Sequence, residues 1–251
     1  MMRHYKTLIK KECLEEIISA RGAALYLVAI GILSVFSLLL VSNTELSLLD
    51  NAQAVYMMSA IIITSALLII VIRGSDGFAG ERERETLETL LITPASPAEI
   101  AVAKLMGLLF SWLIIFVLSM PYLWAVGSTG QNLLLTLIYL FVAGTLLAVI
   151  FGGFMLALSS RMKTLKGALS IGLTAFLLAA SPLLLGPSLR QSAIGRFVDL
   201  INPFAIALNM LDSVVVDSLG VLFQIMPLAT LVFYTIAAIW VLTVTTRRVE
   251  L

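Results

Sequence analysis

A hydrolytic or nucleophilic centre needs a base beside its nucleophile, and this sequence has few bases to offer. Its one histidine, His4, and its one cysteine, Cys13, both precede the first apolar run. That excludes a His-rich zinc site, a thiolate cluster, a disulfide framework and a Ser/His or Cys/His catalytic unit. Met57-Met58 is a soft sulfur pair, but adjacent residues point to different helix faces and the other methionines form no ladder, so core or lipid packing explains them. No Gly-x-x-x-x-Gly-Lys-[Ser/Thr] run occurs, so the chain does not itself cradle nucleotide phosphates. What remains is one dense stretch of charge, GERERETLETLLITPASPAE, from Gly80 to Glu99.

The elements that must hold this stretch are apolar. Of 251 residues, 60% are hydrophobic and 12% charged, against about 25% charged in a soluble domain. The expected fold class is therefore all-α: a polytopic membrane protein. The net charge of +1 leaves no basic face for nucleic acid. A transmembrane helix takes about 20 apolar residues, and six stretches qualify: Ala23–Val41, Ala54–Ile72, Leu105–Val126, Leu133–Leu158, Gly167–Leu185 and Val221–Val244. None contains an acid, a Lys, an Arg or a His. An intramembrane hydrolase or proton relay would need such groups. The first 22 residues are charged throughout and lack the apolar core of a cleavable signal.

Basic residues favour the cytoplasmic side. With the N-terminus inside, only Arg190 and Arg196 of the 16 basic residues fall outside, so both termini are expected in the cytoplasm. Residues 1–22 read as an amphipathic helix at the interface, with Tyr5, Leu8, Ile9, Cys13 and Ile17 as its apolar stripe. Residues 23–251 form the six-helix domain, with a cytoplasmic loop at 73–104 and an outer segment at 186–220. Phe204–Val216 is apolar but too short to span, and Asp212 interrupts it. With Asn202 as cap and Pro203 in the first helical position, it is expected to be re-entrant and buried against protein. An ordinary outer loop is the plainer alternative. Ser181-Pro182 and Gly186-Pro187 break the fifth span near its outer end. Gly144, Ala148 and Gly152 recur at four-residue spacing, which lets another helix approach closely, within the chain or in a partner.

Inside the 73–104 loop, Leu87, Leu90 and Leu91 share one side of a short helix. Thr93-Pro94 ends it. Ser96-Pro97-Ala98-Glu99 restarts a helix through a capping box and runs on through Lys104 into span three, where Pro121 is a candidate kink. The expected element is a surface helix presenting a leucine patch and a mixed-charge strip to the cytoplasm. It suits docking into a groove on another protein; a solvated loop with its leucines on lipid headgroups is the alternative.

The run from Glu81 to Glu99, followed by Lys104 and Gly107, resembles the hallmark of membrane subunits of type-2 ATP-binding-cassette (ABC) exporters. These permeases typically carry a Glu-rich stretch, T-L-E-x-L-L, T-P-x-S and a Lys-Gly pair. Two departures stand out: Glu85-Thr86 replaces a frequent Gly-Thr, and the Lys-Gly pair is spread to Lys104 and Gly107. Asn202-Pro203-Phe204 is similar to a further family element, and the short permeases of multicopper-enzyme maturation, gliding and sodium or antibiotic export are the most similar subgroup.

The resemblance implies a non-catalytic permease with no cofactor of its own. ATP and magnesium would sit on a separate ATPase that docks on a coupling helix at about Glu81–Thr93. Glu81, Glu85, Leu87, Glu88, Leu90, Leu91 and Thr93 are the implied contacts. The implied assembly pairs two permeases, identical or paralogous, with two ATPase subunits in a bacterial or archaeal plasma (inner) membrane. Uncharged spans favour lipidic, amphipathic or peptide-like cargo, or mechanical work without a solute. The rival reading is a sodium-coupled secondary transporter that uses backbone carbonyls and no ATPase.

Overall fold

A computed structural model describes residues 2–42, 51–86, 96–128, 133–183 and 192–247. All the regular structure there is helical. A first helix, α1 (Met2–Ile18), is followed after Ser19 by α2 (Ala20–Ser42). The third, α3, covers Asn51–Glu83 and includes a π-helical turn at Asp76–Gly80. Next come α4 (Pro97–Gly127), α5 (Leu133–Arg161), α6 (Leu165–Ala180), α7 (Ala193–Ile201), α8 (Pro203–Val215) and α9 (Val221–Thr246).

Five of these, α2, α3, α4, α5 and α9, are long and apolar enough to cross a membrane. The expected fifth span, α6, has 16 residues and is prolonged by a tight 3-10 turn at Ser181–Leu183. At 1.5 Å per residue α6 reaches about 24 Å, and the 3-10 turn adds about 6 Å, which together come close to a hydrocarbon core of about 30 Å. The segment containing Pro203 is a helix, and Gly195–Ile201 and Pro203–Val215 meet at 94°. This right-angled pair replaces the ordinary loop that was its alternative.

Backbone groups freed by such a bend need partners at membrane depth, and Asn202 supplies two. Its Oδ1 accepts from Phe204 N at 3.0 Å, while its Nδ2 donates to the Ala179 carbonyl of α6 at 2.6 Å. The Tyr234 hydroxyl of α9 donates to the Ile201 carbonyl at 2.7 Å. Pro203, in the first turn, has no N–H to leave unpaired. Phe204 is fully buried and meets Phe176 edge-on at 6.4 Å.

The core is built around α3, most of whose apolar window is buried, while α9 packs along α5 with one side and exposes the other. The small residues of α5 serve this core from within the chain. A Cβ on Gly144 would lie 2.1 Å from the Trp112 ring, whose Nε1 donates to Thr145 Oγ1 at 3.0 Å. Ala148 is fully buried, and a Cβ on Gly152 would approach Leu105 to 3.1 Å. The helix these residues admit is α4, so the close approach is intrachain. The helix α4 runs unbroken from Pro97 to Gly127 with Pro121 inside it.

Gly144→Ala should lower stability by about 1–3 kcal/mol, because the Trp112 ring must move. Gly31→Ala, where a Cβ meets open space, should leave it unchanged or higher. Thermal melts of the purified variants check this, and equal melting of the two would refute the Trp112–Gly144 contact.

Candidate functional site

The charged residues at the end of α3 each face a different helix. Glu81 Oε1 accepts from Lys104 Nζ of α4 at 2.6 Å. Arg82 donates to the carbonyls of Ser160 and Met162, where α5 ends. Glu83 accepts from Leu165 N at 2.9 Å, the first residue of α6, where a helix N-terminus favours an anion. Arg84 Nη2 returns to Asp76 Oδ2 at 2.8 Å. Four consecutive side chains thus bind α3 to α4, to α5, to α6 and to itself. Glu81 and Arg82 are half-buried, whereas Glu83, Arg84 and Glu85 stand exposed, so the expected mixed-charge strip is also a set of contacts to neighbouring helices.

The helix then stops on a defined motif. Glu85 has φ 59°, in the left-handed region. Thr86 N reaches the Glu81 carbonyl at 2.9 Å and Glu85 N reaches the Arg82 carbonyl at 3.1 Å. These are the two bonds of a Schellman stop, whose left-handed position favours glycine. The Gly-to-Glu departure noted in the sequence therefore sits at the position where Gly is conformationally preferred. At the start of α4, Ser96 Oγ accepts from Glu99 N at 3.2 Å and Glu99 accepts from Ser96 N at 2.8 Å, the expected capping box, with Pro97 opening the helix.

The π-helical turn that aims this tail is fixed by one side chain. Ser159 Oγ of α5 accepts from Phe78 N and Ala79 N, at 3.0 and 2.8 Å, and donates to the Ser75 carbonyl at 2.8 Å. The widened turn leaves backbone groups out of register, and Ser159 takes them up.

The first helix joins the same cluster through two acids. Lys104, only 6% exposed, lies between Glu81 and Glu12 of α1, the latter at 3.7 Å, with the Phe78 ring centroid 5.7 Å away. Glu81 Oε2 is buried with no hydrogen-bond partner among the described residues. Burial pushes the Glu12 carboxyl above its ordinary value; Lys104 opposes that rise and Glu81 adds to it. One turn on, Glu16 meets Arg73 at the end of span two at 2.7 Å, and the hydroxyls of Tyr26 and Ser111 reach its Oε2 at 3.2 and 2.6 Å.

Of the apolar stripe expected on α1, Leu8, Ile9 and Cys13 are half-buried, with Leu8 packed against the core. Ile17 departs from it at 55% exposed, whereas Glu16 is buried. Glu12 and Glu16 turn inward to paired cations, while Leu14, Ile17 and Ile18 turn outward. Sequence reasoning missed Glu12, Glu16, Arg73, Arg82, Glu83 and Ser159. The legible signal was two acids one turn apart on an interfacial helix, in a chain with lone cations at its span ends. Of the expected contact residues, Glu81 is paired within the chain and Glu85 ends α3. Leu87, Glu88, Leu90, Leu91, Thr93 and Pro94 lie outside the described residues.

These features define a multi-pass membrane protein whose charged end ties α3 to three neighbouring helices. Its sequence matches the family described as ABC-2 family transporter protein over residues 9–248, and the chain belongs to that family. Among curated proteins, none matches it. Membership makes the chain a permease subunit, non-catalytic, in an ATP-driven transporter whose nucleotide sites are on an associated ABC ATPase. That decides between the ATP-driven and sodium-coupled readings in favour of the first. Among the described residues no group of acids, His or Cys is arranged to hold a metal ion.

Lys104→Met strands two buried carboxylates and should cost about 3–5 kcal/mol, with Lys104→Met/Glu81→Gln recovering part. Glu12 is raised, so between its ordinary and its raised value the folded chain holds more proton on this carboxyl than the unfolded chain does. Its contribution to stability therefore falls as pH rises through the raised value. The Lys104→Met deficit should be greatest at neutral pH and shrink on acidification. Melting temperature against pH tests this, and a pH-independent deficit would refute the shared ion cluster.

Proposed function

We propose that this permease is one half of an exporter in a bacterial or archaeal plasma (inner) membrane, with both termini cytoplasmic. It pairs with a second copy or a paralogue, and it receives its ATPase on the segment from Glu85 to Thr93, with Glu81 as an internal buttress. The observation that carries the reading is the bracketing of that segment by the Schellman stop at Glu85-Thr86 and the capping box at Ser96–Glu99. A force applied between two rigid termini is delivered to helices rather than absorbed in a loop. It enters α4 at Pro97 and, through Arg82 and Glu83, reaches the junction of α5 and α6.

Two further features support the assembly. The outward apolar faces of α2 and α9, including Leu27, Leu38, Leu222 and Phe233, leave ample surface for lipid and for a second permease. The spans carry no acid or base, which favours lipidic, amphipathic or peptide-like cargo, or mechanical work without a solute.

A mild-detergent pull-down of the tagged chain from its native membrane tests the docking. The wild type should bring down an ATPase in stoichiometric amount with MgATP hydrolysis; Leu90→Asp and Glu88→Lys should lose both. Glu85→Gly should be more stable by about 1 kcal/mol, since it relieves a left-handed non-glycine residue, yet capture less ATPase. A wild type that purifies alone, or variants that all retain the partner, would overturn the assignment.

A further inference from the structure

The junction of α1, α2 and α3 carries a second charged feature that the docking of an ATPase leaves unused. A cavity of about 380 Å³ opens there, lined by three guanidiniums from three places in the chain: Arg21 in the first turn of α2, Arg73 near the end of span two and Arg84 after α3. Glu15 and Asp76 are its acids. Arg73 is held by Glu16 and Arg84 by Asp76, and both still border the cavity. Arg21 is exposed and has no acid partner among the described residues. It also stands in a helix first turn that contains no acid, where a positive charge is opposed by the helix dipole. An anion in the cavity would relieve that arrangement.

A second cavity, of about 570 Å³, adjoins the first and shares Glu15 and Ser19 with it. Its walls include Leu14 and Ile18, with Lys10 and Lys11 at the side. Leu14, Ile17 and Ile18 are exposed at 42%, 55% and 76%. Two of the guanidiniums are already paired with acids, so Arg21 is the cation left for an anionic head, and the adjoining cavity with Leu14 and Ile18 offers room for a hydrocarbon body. Guanidiniums match phosphate oxygens through paired N–H donors, and the place where two spans leave the bilayer is where phosphate headgroups lie.

We propose that this double cavity binds an anionic phospholipid. The phosphate sits among Arg21, Arg73 and Arg84, and the upper acyl chain lies along Leu14 and Ile18. Bound there, the lipid would bridge α1 to the start of α2 and the tail of α3, the same three elements that the Glu12 and Glu16 clusters join from the protein side.

The test uses the purified full-length chain in neutral detergent, with phosphatidylglycerol, phosphatidylcholine of the same acyl chains, or inorganic phosphate added. Native mass spectrometry reads retained lipid and a thermal melt reads stabilisation. Phosphatidylglycerol should be retained about tenfold more than phosphatidylcholine and should raise the melting temperature. Arg21→Gln should lose about tenfold of that retention while keeping the lipid-free melting temperature. Arg21→Lys should fall between, and Lys163→Gln, which removes an exposed charge elsewhere, should match the wild type. Equal retention of the two lipids, or an Arg21→Gln variant no different from Lys163→Gln, would overturn the site. Inorganic phosphate that reproduces the whole stabilisation would overturn the lipid as its occupant.

Discussion

The ammonium of Lys104 is the constraint on which the charged end of this molecule depends. A buried cation without a partner costs several kcal/mol, and this one is satisfied only while two separate elements stay in place, α1 through Glu12 and the tail of α3 through Glu81. Moving either away from α4 leaves charge behind in an apolar surround. Glu16 and Arg73 repeat the bargain one turn along α1, with Tyr26 and Ser111 adding hydroxyls. The first helix, α3 and α4 are therefore tied together by charge. Close backbone approach helps: Glu12 lies against Gly107, where an added Cβ would touch it at 3.4 Å.

The membrane architecture was largely legible in the sequence because a bilayer imposes a coarse rule, that a span must be long and apolar, and composition reports it directly. The capping box at Ser96–Glu99 and the cap at Asn202 were legible because caps are local, written in residues two or three apart. The partners of Glu81, Arg82 and Glu83 were not legible. Each lies on another helix, 23 residues or more away in sequence, and a run such as E-R-E-R-E looks alike whether solvated or distributed among neighbours. The reading of α1 missed its two inward acids for a related reason. Periodicity marks which residues share a face, but only the surroundings say which face is inside. Against lipid and a cationic wall, the face bearing Glu12 and Glu16 goes in and Ile17 and Ile18 go out.

The same logic accounts for the two irregular places. A right-angled turn between α7 and α8 and a π-helical turn in α3 both leave backbone groups without regular partners, and in an apolar medium each such group is costly. The molecule meets the first with Asn202 and Tyr234, and the second with Ser159. These polar side chains act as fixed pins, so the irregular segments are stiff. Stiffness suits the proposed transfer of force from the cytoplasmic end into the helices.

Glu85 is the exception to this economy. Every neighbouring charge has a partner that explains it, whereas Glu85 occupies a left-handed position where glycine would stop the helix without strain. A local cost of that kind persists when something else requires the side chain. Within the described residues nothing in the chain does so. The carboxylate stands where α3 stops, beside the segment proposed to receive the ATPase, and a partner surface that carries a cation at that point would supply the missing reason.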